Sequence, residues 1–124
     1  AVVLASNFVN HPNAEERQVM LACCSRHVLP GGQVLIQGFP RDWTPRTERS
    51  ELGDVRLRLR SYMLEAVVSG EMEYVVGGRQ LLHEFESRLL SVEELKDDLA
   101  AVGMRREREL DDSGSWIEAV PVRS

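Results

Sequence analysis

The sequence predicts an α/β fold: a short parallel sheet, an antiparallel β insertion, and a closing antiparallel hairpin. Three observations predict it. An apolar run, "AVVLAS" at 1–6, is followed by a capped helical segment, a Pro-Gly-Gly turn and a second apolar run, "QVLIQGF". From residue 55 the apolar period shortens to two, and after Ser91 a second capped segment leads into β-like runs on either side of "DSGS".

Taken in order, "AVVLAS" is continuously apolar, as a strand covered on both faces of a parallel sheet would be. "NFVNHPN" is a polar, turn-rich connection. Asn13 then caps a helix that begins at Ala14, with Glu16 at the third position in a capping-box arrangement. Val19, Met20, Cys23 and His27 recur at helical spacing and form the face expected to be buried. The helix stops before "LPGG", where proline and glycine break it. A strand, a helix and a strand joined this way form a right-handed crossover, so the two strands should run parallel in one sheet.

"PRDWTPRTERSELGD" (40–54) reads as a charged loop carrying Trp43. Beyond it, alternation predicts three antiparallel strands, roughly 55–61, 65–76 and 79–89, inserted against the main sheet. Gly77-Gly78 is the hairpin signal between the last two. Ser91 opens the next helix and Glu94 completes its capping box. Val92, Leu95, Leu99 and Val102 share one face, and Gly103 is the stop. "MRRERELDD" and "WIEAVPV" then close a hairpin, with Trp116 expected in its core.

Composition excludes several function classes. At 124 residues the chain suits one domain, and 43% hydrophobic with 28% charged residues is the balance of a folded chain. No apolar run approaches the ~20 residues that cross a bilayer, so no membrane partner is expected. A net charge of −5 argues against nucleic acid, which needs clustered excess lysine and arginine. Arg56, Arg58 and Arg60 alternate onto one solvated strand face. The adjacent Cys23 and Cys24 match no metal-ligand spacing, and no metal is expected. They read as small buried fillers in a reducing, cytoplasmic compartment. Glu93, Glu94, Asp97 and Asp98 read as a solvated acidic helix face. The absence of an initial methionine and of a basic leader suits a chain cut from a longer one.

Two long segments carry a resemblance. "VVLASNFVNHPNAEERQVMLACCSRHVLPGGQVLIQ" resembles the fourth strand, helix, Pro-Gly-Gly turn and fifth strand of class I S-adenosylmethionine-dependent methyltransferases. "LLSVEELKDDLAAVGMRRERELDDSGSWIEAVPV" resembles the same family's Ser-x-x-Glu-Leu helix and final antiparallel pair. The resemblance implies a partial Rossmann-like three-layer sandwich in which residues 1–124 are the C-terminal part of one domain, with an inserted meander at about 55–89. It implies S-adenosylmethionine as cofactor and methyl transfer to a small-molecule acceptor, as part of a larger enzyme. The family's glycine-rich turn and ribose-binding acidic residue would both precede Ala1. Gly31-Gly32 and Gly77-Gly78 do not replace that turn, so the isolated chain should bind the cofactor very weakly or not at all.

Ligands in open α/β sheets sit beyond the carboxyl ends of the strands. By the resemblance, Ala5, Ser6 and Asn7 would border the methionine part of the cofactor, largely through backbone groups. Asn10, His11, Gln37, Phe39 and Trp43 would face the acceptor. His11, on the loop after a strand end and with an ordinary pKa near neutrality, is the candidate general base. The competing reading is a histidine that hydrogen-bonds the loop backbone. Trp43 is either part of a lid or a packed loop aromatic, and the asparagines either read ligand atoms or satisfy turn backbone. His27, at a helix end, reads as structural, and His83 is assigned no role. A rival function is a non-catalytic binding or assembly module whose 55–89 strands form the interface of a homodimer. A reductase-type nucleotide domain is a third reading, disfavoured by the antiparallel terminal strand.

Overall fold

The computed structural model describes residues 1–122. The chain runs β1 (Val2–Leu4), a 3-10 turn (Phe8–Asn10), α1 (Ala14–His27), β2 (Val34–Gln37), β3 (Thr47–Leu52) and β4 (Val55–Leu64). It continues through β5 (Val67–Val76), β6 (Arg79–Arg88), α2 (Val92–Ala100), β7 (Met104–Glu109) and β8 (Trp116–Pro121). Two compact units result: Ala1–Trp43 with the chain from Leu89 onward, and Thr44–Arg88.

In the first unit the sheet order is β1-β2-β8-β7. β1 and β2 are parallel, with Val2 opposite Val34 and Leu4 opposite Ile36, as the crossover unit requires. β8 runs antiparallel to β2 and pairs Ile36 with Ile117. β7 closes the antiparallel pair with β8, its register shifting between Arg106 and Arg108. α1 touches β1, α2 touches β7, and the two helices touch each other, so both lie on one face of this sheet. That face holds the core, in which Leu21, Val34, Ile36, Leu99 and Ala119 are at most 1% exposed.

Strand alternation sends Val3, Leu35, Trp116 and Glu118 to the opposite face. Val3 is 56% exposed there. Trp116 is half-buried on that face, and Ile117 and Ala119 take the core positions expected of it.

Both helix starts form as their caps dictate, with one difference. Asn13 Oδ1 accepts the Glu15 and Glu16 amides at 2.8 and 3.1 Å. The Asn13 amide is held by His11 Nδ1, at 3.0 Å. At α2 the reciprocal box is present, with Glu94 N on Ser91 Oγ at 3.0 Å and Ser91 N on Glu94 Oε1 at 3.3 Å. Each such cap contributes about 1 kcal/mol. α2 ends ahead of Gly103, whose φ of +76° is the left-handed stop.

The buried stripe of α1 is Arg17, Leu21 and Cys24, not the Val19–Met20–Cys23–His27 stripe that spacing suggested. Val19 is 63% exposed and Cys23 is exposed. Apolar residues are spread around this helix, and its rotation follows a tertiary contact: Arg17 Nε meets Asp98 Oδ2 at 2.9 Å, both side chains nearly buried. Asp98 therefore does not belong to a solvated face.

The second unit is a four-stranded antiparallel meander, β3-β4-β5-β6. β3 forms inside the stretch 40–54 that the sequence predicts as a loop; "TERSEL" is exposed at all its positions and extends only because its backbone pairs with β4. The Gly77-Gly78 hairpin forms, both glycines at positive φ, as a tight turn matched to strand twist needs. Register gathers Leu57, Leu59, Met72, Tyr74, Leu81 and Phe85 on one face. The other carries Arg58, paired with Glu73 at 3.3 Å. Arg56 meets Glu51 at 3.7 Å.

Candidate functional site

The parallel strands β1 and β2 end side by side, and the chain leaves each along the same rim. After β1 the backbone turns sharply, with Ser6 and Asn7 both at φ 59°, a left-handed conformation that costs non-glycine residues free energy. The Ser6 amide donates to Gln37 Oε1 at 2.8 Å, which ties the two strand ends together. Gln37 therefore spends its side-chain oxygen on the rim itself. The Asn7 side chain makes no capping bond to the 3-10 turn that follows, unlike Asn13 at α1.

The 3-10 turn brings Val9 and Asn10 inward, each 4% exposed. They border a cavity of about 320 Å3 in the first unit. Its apolar floor includes Ile36, Leu95 and Ile117. One wall is the pair Phe39 and Trp43, with ring centroids 5.1 Å apart and planes at 54°. Gly38 packs closely here: a Cβ on it would lie 3.0 Å from Asn10 Oδ1, tighter than ordinary packing. At the other edge stand Arg41, Arg106 and Glu109. Glu109 receives Arg41 Nη2 at 2.5 Å and Arg106 Nη2 at 2.9 Å, one guanidinium on each carboxylate oxygen.

Of the residues expected to face an acceptor, Asn10, Phe39 and Trp43 line this cavity. His11 is not among its lining residues. Its Nδ1 accepts the Asn13 amide, and its carbonyl accepts Arg17 Nη1 at 2.9 Å. A neutral ring with Nδ1 as acceptor carries its proton on Nε2. Ala5, Ser6 and Asn7 sit at the β1 end, as expected. Arg41, Arg106 and Glu109 are not among the residues singled out from sequence; "PRDW" reads as part of a charged loop and "MRRERE" as a strand of the closing hairpin, and nothing local brings Arg41 to Glu109, 68 residues away.

His27 and Cys24 play structural parts. His27 Nδ1 lies 2.7 Å from the Cys23 carbonyl, closing the last turn of α1. Cys24 is buried, and that burial, followed by the adjacent Cys23, raises its thiol pKa, so it is a poor nucleophile. Among the described residues no helix is long and apolar enough to cross a membrane.

No protein-family model matches the chain, and no curated protein matches it. Solved structures do. The sugar N-methyltransferase KedS8 from Streptoalloteichus sp ATCC 53650 superimposes with a TM-score of 0.75 at 20% identity over 98% of this chain and 56% of that one. CalS10, an S-adenosylmethionine-bound amino pentose methyltransferase of calicheamicin biosynthesis from Micromonospora echinaspora, gives 0.70 at 18% identity, covering 98% and 57%. DesVI from Streptomyces venezuelae gives 0.71 at 20% identity, covering 98% and 58%. At such identities the likeness establishes the fold: a partial methyltransferase-type α/β fold. The chain spans a little over half the length of these structures.

Proposed function

We propose that this chain is the acceptor-side part of an S-adenosylmethionine-dependent methyltransferase acting on a small molecule, and that residues 1–124 belong to one such domain with the β3–β6 meander inserted. The observation that carries the reading is the 320 Å3 cavity beside the carboxyl ends of parallel strands, walled by Phe39 and Trp43. Ala5, Ser6 and Asn7 would border the methionine end of the cofactor. The exposed Ser6 and the uncommitted Asn7 cap suit that role, while the Ser6 amide is already taken by Gln37. The cofactor supplies a methyl group on a positively charged sulfur. What the chain supplies is alignment and exclusion of water, the two levers on an in-line displacement. The matched proteins described as sugar methyltransferases make amino sugars the first acceptors to try.

His11 enters the proposal as the base, under a condition. His11 lies outside the cavity lining and its ring lone pair accepts the Asn13 amide, so taking a substrate proton requires releasing that bond and turning toward the acceptor. His11→Asn and His11→Ala separate the roles. A base is lost in both, whereas a loop-holding acceptor is kept in part by asparagine. A cytoplasmic setting fits the two free cysteines. A homodimer through the meander is favoured by its apolar face, on which Leu81 is 61% exposed. Leu81→Glu should then yield monomers in sedimentation.

Calorimetry of S-adenosylmethionine with the full encoded polypeptide tests the main reading. Saturable binding is the expected result; no binding removes the enzymatic claim and leaves the assembly module.

A further inference from the structure

The geometry points to Arg41 as a positioning residue, the pin of a clasp that sets the Phe39–Trp43 pair against the cavity and so governs which acceptors fit. The inference deepens the proposed function and rests on it for its kinetic consequence only.

Residues 38–43 have no regular secondary structure, yet they carry both aromatic walls of the cavity. They are held from outside by the β7–β8 turn. The Gly38 amide donates to the Ser115 carbonyl at 2.7 Å, and the Arg41 amide donates to the Ser113 carbonyl at 2.8 Å. The Arg41 side chain then crosses the turn to Glu109. It lies directly on Gly114, where a Cβ would come within 2.9 Å of Nη2. The turn is itself rigid: Asp111 accepts the Trp116 amide at 3.2 Å and the Ser113 hydroxyl at 2.9 Å, and Ser113 and Ser115 hydroxyls are 2.7 Å apart. Between Arg41 and the aromatic pair there is only the short turn closed by the Trp43 amide on the Pro40 carbonyl at 3.1 Å.

The fastening is strong in geometry and weak in environment. Glu109 is fully engaged, with Arg106 on its second oxygen. The Arg41 and Glu109 side chains are nevertheless 59% and 37% exposed, so water and salt compete for the pair. A clasp of this kind holds the aromatic wall without locking it, which lets an acceptor enter and then be gripped.

Fluorotryptophan labelling followed by 19F NMR tests this without any ligand, because the chain has two tryptophans and Trp116 serves as the internal control. In Arg41→Gln the Trp43 resonance should broaden and move toward the solvent-exposed position, while Trp116 stays in place. Glu109→Gln should reproduce this, and Arg41→Lys should restore part of the original signal. An unchanged Trp43 resonance in Arg41→Gln overturns the inference. So does loss of both resonances in all three variants, since the pair would then hold the fold rather than the loop. In methyl-transfer assays of the full encoded polypeptide, Arg41→Gln should raise the acceptor KM severalfold with kcat and cofactor affinity unchanged. A fall in kcat at constant KM overturns the positioning role. A parent protein that transfers no methyl group removes the proposed function, while the NMR arm still reads the clasp.

Discussion

Arg17 is a charge that the first unit buries, and the pair it makes with Asp98 fixes how α1 meets α2. Removing one partner of a buried pair leaves the other charge uncompensated, so Asp98→Ala should cost about 3–5 kcal/mol in urea unfolding. The exposed Glu93 offers the control: its ion pair with Lys96 is exposed on both sides, and Glu93→Ala should change stability by less than about 1 kcal/mol. Asp111 sets a pH dependence. The Trp116 amide, then the Ser113 hydroxyl and further turn amides, lower its pKa below the ordinary carboxylate range. A group whose folded pKa is depressed stabilises the fold above its unfolded pKa, and that contribution is lost as pH falls through the folded one. The Trp116 amide signal should thus hold through the mildly acidic range and shift below it, and Asp111→Asn should abolish that transition.

At the scale of the element, Gly70 shows how tightly the meander is packed. The Phe85 ring from β6 lies across it, and a Cβ would fall 2.1 Å from the ring. Gly70→Ala should cost about 1–3 kcal/mol as the ring is driven off its seat, read as a lower melting temperature. Elements whose signals are local were legible in the sequence: Asn13 and Ser91 with their caps, Gly103 at the left-handed stop, Gly77-Gly78 in the hairpin. Elements fixed from a distance were not. The buried face of α1 is chosen by Asp98 on another helix, and β3 exists because β4 offers it a backbone to pair with. His11 is a local case: Glu16 stands at the capping-box position, but the histidine two residues before Asn13 takes its amide, the loop-backbone bond that was the competing reading of this histidine.

Over the whole molecule, the parallel placement of β1 and β2 follows from the helical crossover that joins them and was readable from one helix and two apolar runs. That Asn10, Phe39 and Trp43 follow those strand ends was readable too, and all three line one cavity. The clasp opposite them was not, because Arg41 and Glu109 stand 68 residues apart and meet only once β7 and β8 have closed the sheet. The proposed function thus depends on an acceptor lying against the aromatic wall at the strand ends. The most direct measurement is steady-state methyl transfer from S-adenosylmethionine to amino sugars by the full encoded polypeptide and its Trp43→Ala variant. The proposed function predicts transfer by the parent and a raised acceptor KM in the variant, with cofactor affinity retained. Transfer that is indifferent to Trp43, or none in the parent, would contradict it.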